Sequence, residues 1–198
     1  EEMPEPQSPN LAKLSNIALA SELASPRHWR RQTARRILLE RGARLPKTAL
    51  PTDDTDAAVN TLYTLDGLGQ LTDNTLADAL DHGEPGVRRH ALRLSDRRFD
   101  ESEKLLTAAL QLAVDTSSIV RLQLALSLGE SSDPSALNAL AHLARRHGGD
   151  QWLGDAILTS LAGRALDMLV ALIDKPAEAH RAHGLIFRFC VSIATKRT

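Results

Sequence analysis

One kind of segment recurs along the chain, and this repetition constrains the fold more than any other feature. Its copies are WRRQTARRILLERG (29–42), AVNTLYTLDGLG (58–69), GVRRHALRLSDRR (86–98), IVRLQLALSLGE (119–130) and WLGDAILTSLAG (152–163). Their equivalent positions, separated by 27, 30, 33 and 32 residues, are Ala34, Thr61, Ala91, Leu124 and Ala156. A period of about 30 residues predicts stacked units that bury their apolar sides against one another.

Each recurring segment is predicted to be the second helix of a helix–turn–helix unit. Most copies follow an amphipathic segment, and one such segment has helical spacing of its apolar residues Leu105, Leu106, Ala109, Leu110 and Leu112. Aromatic residues make up only 3% of the chain and no alternating Val/Ile-rich run occurs, so no strand is expected. The predicted fold is an all-α solenoid of about five antiparallel helix pairs that form a right-handed superhelix.

The predicted boundaries follow from the copies and from the turn residues between them. Residues 10–198 are expected to form one repeat domain after an extended or disordered leader at 1–9. A last helix at 177–196 would cap the array. The second helices are predicted near 29–42, 57–69, 87–98, 120–130 and 152–163.

Glycines and tryptophans occur at the ends and starts of the copies. Gly67, Gly129 and Gly163 are expected to end helices in the left-handed conformation. Because Gly67-Leu68-Gly69 follows a helical segment and not a strand, it predicts a helix end and not a phosphate-binding loop. Trp29 and Trp152 lie at the start of second helices, and their bulk is expected to pack between neighbouring units.

Composition excludes several functional classes. The net charge is −1, so the whole molecule has no field that would attract nucleic acid or an anionic membrane. No apolar run reaches the ~18–20 residues that a membrane-spanning helix needs. The lone thiol, Cys190, lies in the apolar run RFCVSIA and is expected to be buried.

Candidate catalytic and metal-binding residues are few. No Gly-x-Ser-x-Gly turn occurs, so no nucleophile is predicted. Glu178, His180 and His183 could approach one metal from a helix, but they lack the His-Glu-x-x-His pattern of zinc sites. No catalytic residue, cofactor or metal is therefore predicted, and the chain is expected not to be an enzyme.

The repeated segments resemble HEAT repeats, in which a residue such as Val precedes Arg near the start of the second helix. In that pattern Ala follows the Val four positions later. Val87-Arg88 with Ala91 matches it well, as does Val120-Arg121 with Leu124 in the Ala position. The resemblance implies a HEAT-like solenoid.

A second resemblance concerns the order of the segments. WRRQTARRILLERG, LYTLDGLG, GVRRHALRL and VRLQLALSLGE, in that order, are similar to the helical-repeat region of large bacterial exported proteins of the membrane-bound dehydrogenase type. The similarity covers residues 11–163. It implies a propeller domain before the repeats, a c-type haem domain after them, and an exported or cell-envelope location. Because no Cys-x-x-Cys-His occurs, haem is not expected in this chain itself.

Arginines are concentrated on two of the predicted second helices. Arg31 and Arg35, like Arg89 and Arg93, are four residues apart and share a helical face. Second helices line the concave side of a solenoid, so these side chains and Tyr63 predict a basic stripe that binds a partner's carboxylates or phosphates. The alternative is internal pairing of the arginines with acids such as Asp66, Asp96 and Glu130.

The function predicted from these features is that of a non-catalytic scaffold for protein–protein or interdomain contacts. Its partners would be proteins or neighbouring domains of a larger exported protein. One alternative is a nucleic-acid-binding or base-excision protein that uses the arginine stripe. Base stacking needs aromatic side chains, and the second helices offer only Trp29, Tyr63 and Trp152. Another alternative is an enzyme whose groove carries no recognisable motif.

Overall fold

The computed structural model describes residues 10–46, 50, 54–161, 163–174 and 182–195. Within these ranges the regular elements are all helical and no strand occurs. The chain divides into two compact units, Glu1–Thr75 and Leu76–Thr198. The predicted leader at 1–9, and residues 177–181 and 196 of the predicted last helix, lie outside the described residues. A single domain over 10–198 stays a prediction.

The first unit contains helices α1 (Asn16–Glu22), α2 (His28–Glu40) and α3 (Thr55–Gly67). Helix α2 packs against both of the others. The side chains of Ser15 and Asp54 cap α1 and α3 by accepting a backbone N–H of the first turn. The core of this unit consists of Leu11, Leu19, Leu23, Ala34, Ile37, Leu38 and Ala43.

The second unit is a series of consecutive helix pairs, and α4 contains the boundary between the units. Its helices are α4 (Asp73–Leu80), α5 (Pro85–Ser95), α6 (Glu103–Gln111), α7 (Ser118–Ser127), α8 (Pro134–His147), α9 (Gln151–Ser160), α10 (Ala165–Ile173) and α11 (His183–Thr195). The second helices of neighbouring pairs pack side by side, α5 on α7 and α7 on α9. Helix α8 packs on α10, and α10 on α11.

A common register underlies the second helices of this unit. Helices α5, α7 and α9 begin at Pro85, Ser118 and Gln151, so equivalent positions lie 33 residues apart. Buried residues in this register include Val87 and Ala91 on α5 and Val120 and Leu124 on α7. Their four-residue spacing places them on one side of each helix, which leaves the opposite side open.

The second helices are shorter than predicted at their C-terminal ends. Each begins one or two residues before its predicted start and ends two or three residues before its predicted end. After α5 and α7 the chain continues as a 3₁₀ turn, at Asp96–Arg98 and Leu128–Glu130. Apolar spacing over a single turn does not distinguish a 3₁₀ helix from an α-helix, so the α-helices predicted from the sequence extend too far at their C-terminal ends.

Two of the three glycines predicted to end helices have a different conformation. Gly163 has a φ of +98°, whereas after α3 the positive φ (+67°) belongs to Gly69 and not to Gly67. Gly129 has no positive φ. A Cβ at position 129 would lie 2.6 Å from the Ser160 Cβ and 2.8 Å from the Ser160 Cα. Glycine is therefore needed at 129 because the chain after α7 closely approaches the end of α9.

We expect Gly129→Ala to lower the free energy of unfolding by about 1–3 kcal/mol, because the new methyl group meets backbone atoms that no side-chain rotation can move. The shift would also disturb the 2.7 Å hydrogen bond from Ser160 Oγ to the Ala125 carbonyl. Urea unfolding measures the change. Gly83→Ala is the control, because Gly83 has no positive φ and its Cβ would meet nothing within 4 Å. Equal midpoints for the two variants would contradict the close approach.

Both tryptophans and the cysteine are more exposed than predicted. Trp29 is 43% exposed and Trp152 is 76% exposed, so neither is buried between neighbouring helix pairs. Each lies at the second position of its helix, away from the buried side. Cys190 is exposed because it shares the outer side of α11 with Phe187, opposite the buried Leu185. The prediction of buried side chains is wrong here, because apolar residues also occur on the outer sides of these helices.

Candidate functional site

The open sides of α5, α7 and α9 form a continuous surface of the second unit. Helix α7 packs on both neighbours, and equivalent residues project from the three helices in rows. We name this surface the second-helix face. Its residues are Gly86, Arg89, Arg93, Ile119, Leu122, Leu126, Trp152, Asp155 and Thr159.

The second-helix face changes in character from one helix to the next. Helix α5 contributes the partly exposed Arg89 and the exposed Arg93. Helix α7 exposes Ile119 and Leu126, and α9 exposes Trp152. Exposed apolar patches beside charged groups are typical of protein-binding surfaces, and arginine and tryptophan often supply much of the binding energy there.

Arg89 and Arg93 make the α5 end of this face electropositive. Among the described residues, neither of them takes part in an ion pair. Burial, and then the charges of Arg89 and Arg93, hold the pKa of His90 below its usual value. A carboxylate of a partner would therefore meet guanidinium groups that are not already paired with an acid.

The first unit contains the other predicted binding residues, beginning with Arg31. This side chain is buried. Its Nη1 donates to the Ser25 carbonyl at 2.8 Å, and its Nη2 to the Asp56 carboxylate at 2.6 Å. Arg31 thus joins the turn before α2 to the start of α3. It is a structural side chain and does not belong to the second-helix face.

Arg35 and Tyr63 are in contact within the first unit. The guanidinium carbon of Arg35 lies 5.7 Å from the centroid of the Tyr63 ring, in a cation–π contact. Both side chains are only partly exposed, so the contact joins α2 to α3. Because Arg89 and Arg93 belong to the other unit, a single stripe through all of the predicted residues stays a prediction.

An arginine at the fourth position of α2, α5 and α7 holds the turn before each helix. Its Nη1 donates to the carbonyls six and five residues earlier, which are those of Ser25 and Pro26 for Arg31, His82 and Gly83 for Arg88, and Asp115 and Thr116 for Arg121. These carbonyls lie outside the helical ladder and need such partners. The repeated Val-Arg pattern therefore has a structural role.

Arg88 also binds an acid of the next repeat. Its Nε and Nη2 donate to the two carboxylate oxygens of Asp115 at 2.7 and 3.0 Å. Burial alone would raise the pKa of Asp115, but the hydrogen bonds from Arg88 and the Ser117 backbone N–H lower it. Internal pairing of arginines thus occurs, and its acids include Asp56 and Asp115.

The described residues contain no group of three His, Cys, Asp or Glu side chains that could hold a metal ion. Of the histidine pair considered from the sequence, His183 is exposed at the start of α11, whereas His180 and Glu178 lie outside the described residues. In the described part of the chain, no helix has the length and apolar character needed to cross a membrane.

The arginine pattern alone did not identify the apolar part of the second-helix face. The informative signal is the 33-residue interval, which aligns Leu126 with Arg93 and Thr159. A position occupied by Arg in one repeat and by Thr two repeats later faces solvent, so the leucine in the repeat between them does too. The same alignment places Ile119 beside Trp152 on the neighbouring helix.

Comparison with known proteins supports the repeat architecture. Residues 73–162 match the family of HEAT repeats, a span that runs from α4 through α9 and includes the second-helix face. No curated protein and no solved structure matches the chain. The predicted all-α, HEAT-like fold class is confirmed. HEAT repeats generally act as scaffolds for protein interactions and are typically not catalytic.

Proposed function

We propose that this chain is a non-catalytic scaffold whose second-helix face binds protein partners. The observation that carries the proposal is the set of exposed apolar side chains, Ile119, Leu126 and Trp152, beside Arg89 and Arg93 on the adjoining helix. Burial of such a patch by a partner removes apolar area from water. The arginines fix the orientation of the partner and make its binding specific.

The face fits a partner segment that is acidic at one end and apolar along the rest. Carboxylates would lie against Arg89 and Arg93, and apolar side chains against α7 and Trp152. The acid on the α9 part of the face, Asp155, already accepts a hydrogen bond from Arg188 at 2.5 Å, so it does not oppose an acidic partner as a free charge.

We further infer that the partners include neighbouring domains of a larger exported protein. The ordered similarity over residues 11–163 supports this inference. A helical-repeat region between a propeller and a haem domain would position the two while taking no part in the redox chemistry. The complete reading frame tests this point, since a frame that encodes neither domain would contradict it and leave the second-helix face unaffected.

Affinity purification from the source cells tests the second-helix face, with the 198-residue chain as bait. We expect a Leu126→Ser/Trp152→Ser double variant to reduce partner binding about tenfold or more, because central apolar and aromatic residues dominate such interfaces. Circular dichroism establishes that the variant is folded, as expected for substitutions at exposed positions.

Val114→Ser is the matched control, because Val114 is exposed and apolar in the same unit but lies outside the second helices. It should retain the partners. Equal retention or equal loss in the two variants would contradict the proposal. Binding of short DNA duplexes with an affinity that falls steeply with salt would instead support the nucleic-acid alternative.

A further inference from the structure

The turn before α9 has no acidic residue at the position that Asp115 occupies in the turn before α7. Arg88 binds the carboxylate of Asp115, which is 27 residues further along the chain. The residue at the same distance after Arg121 is Gly148, which has no side chain. The two pairs occupy equivalent positions, because the 33-residue interval relates α5, α7 and α9. The next repeat therefore supplies no carboxylate to Arg121 from this position.

Arg121 otherwise makes the same contacts as Arg88. Its Nη1 donates to the carbonyls of Asp115 and Thr116 at 2.5 and 3.0 Å. Its Nε is buried and has no hydrogen-bond partner in the part of the chain that the structure describes. Arg121 also forms no ion pair there, and the nearby carboxylate of Asp115 is already held by Arg88. The acid-binding side of this guanidinium is thus unused by the described residues.

A cavity of about 300 Å³, open to solvent, lies at this turn. It is lined by Arg121, Arg146, His147, Gly149 and Asp150. The Asp150 carboxylate is engaged in capping α9, since it accepts the backbone N–H groups of Trp152 and Leu153 at 2.9 and 3.2 Å. The Arg121 guanidinium, which forms no ion pair with the described residues, therefore lines a cavity whose carboxylate is already hydrogen-bonded, and this arrangement favours an anionic ligand.

We propose that this cavity binds a carboxylate of a protein partner, in the role that Asp115 has for Arg88. The exposed Trp152, two residues after Asp150, offers an apolar contact to a side chain next to that carboxylate. The ligand is thus a short acidic peptide segment with an apolar neighbour. This inference rests on the proposed scaffold function, and it names an anchoring point outside the arginines of α5.

Titration of the 198-residue chain, followed by NMR, tests the cavity with three probes. The first is the capped peptide acetyl-Leu-Asp-Leu-amide, and we expect it to bind about tenfold more tightly than its Asn counterpart and to shift the Trp152 indole N–H signal. The second, acetyl-Leu-Leu with a free carboxylate, distinguishes a chain terminus from a side chain as the source. The third is inorganic phosphate, and its tighter binding would overturn the assignment to a protein carboxylate.

Two variants connect the binding to Arg121. Arg121→Gln should lower the affinity for the Asp peptide about tenfold or more. Gly148→Asp keeps Arg121 and its carbonyl contacts, and Gly148 has a φ of −61° that any residue adopts. The new Asp side chain should supply the missing carboxylate from within the chain and weaken binding of the Asp peptide to a similar extent. Unchanged affinity in Gly148→Asp, or in a folded Arg121→Gln protein, would overturn the proposal.

Arg93→Gln separates this inference from the proposed function, because Arg93 lies on α5 and does not line the cavity. This variant should weaken the binding of a protein partner to the second-helix face and leave the affinity for the Asp peptide unchanged. If the partner is lost in Arg93→Gln but the Asp peptide never binds to the unmodified chain, only the cavity assignment fails. If the peptide binds and the partner is insensitive to Arg93, only the role of the second-helix face fails.

Discussion

The Ala91→Asp variant is expected to have a free energy of unfolding lower by about 3–5 kcal/mol, which is enough to unfold many domains of this size. Ala91 is fully buried on α5, a helix that packs on α7. The buried residues around it on the same helix, Val87 and Leu92, are apolar. A carboxylate at 91 would lose its water without gaining a positive partner from them.

Urea unfolding followed by circular dichroism measures this loss, and Arg93→Asp is its matched control. Both substitutions introduce the same acid on α5, two residues apart, but position 93 is exposed. The control should change stability by less than about 1 kcal/mol, as is usual at exposed positions. Similar midpoints for the two variants would contradict the register that assigns Ala91 to the buried side of α5.

The helical part of this fold could be predicted because its cause is local. Apolar residues four positions apart, such as Val87 and Ala91 or Val120 and Leu124, give each second helix one apolar side whatever its neighbours are. A helix pair with one apolar side is stable only when another pair covers that side. Repetition of the pattern therefore predicts stacking from the sequence alone.

The features that could not be predicted depend on contacts between distant residues. The need for glycine at 129 arises from the approach of Ser160, which no local pattern records. The exposure of Trp152 and Cys190 depends on the direction in which each helix turns its sides, not on how apolar the residues are. Hydrophobicity predicts that some side is buried, and only the packing shows which one.

The arginines illustrate the same limit at the candidate site. Arg88 and Arg89 are adjacent in the sequence, yet one holds Asp115 and two carbonyls while the other lies on the open face. One residue along a helix is a rotation of about 100°, so neighbours in an arginine-rich run have different surroundings. Counting arginines could not separate structural from surface side chains. The 33-residue alignment could, because it places Arg88 with Arg121 and Arg89 with Leu122.

Replacement of Arg88 by methionine is expected to lower the free energy of unfolding by about 3–5 kcal/mol, because it leaves a buried carboxylate without its cation. The Asp115 side chain is only 5% exposed. The carbonyls of His82 and Gly83 also lose their donor. The double variant Arg88→Met/Asp115→Leu should recover much of this loss, since apolar side chains can replace a buried ion pair at little net cost.

The pH dependence of the Arg88→Met effect has a defined sign. The pKa of Asp115 is lowered in the folded protein, so the ion pair contributes stability above the unfolded pKa of about 3.9 and loses it as the pH falls through the folded value. The difference between the unmodified chain and Arg88→Met, measured by urea unfolding, should therefore be larger at pH 7 than in acid. A double variant no more stable than Arg88→Met would show that the carbonyl contacts, and not the ion pair, hold this turn.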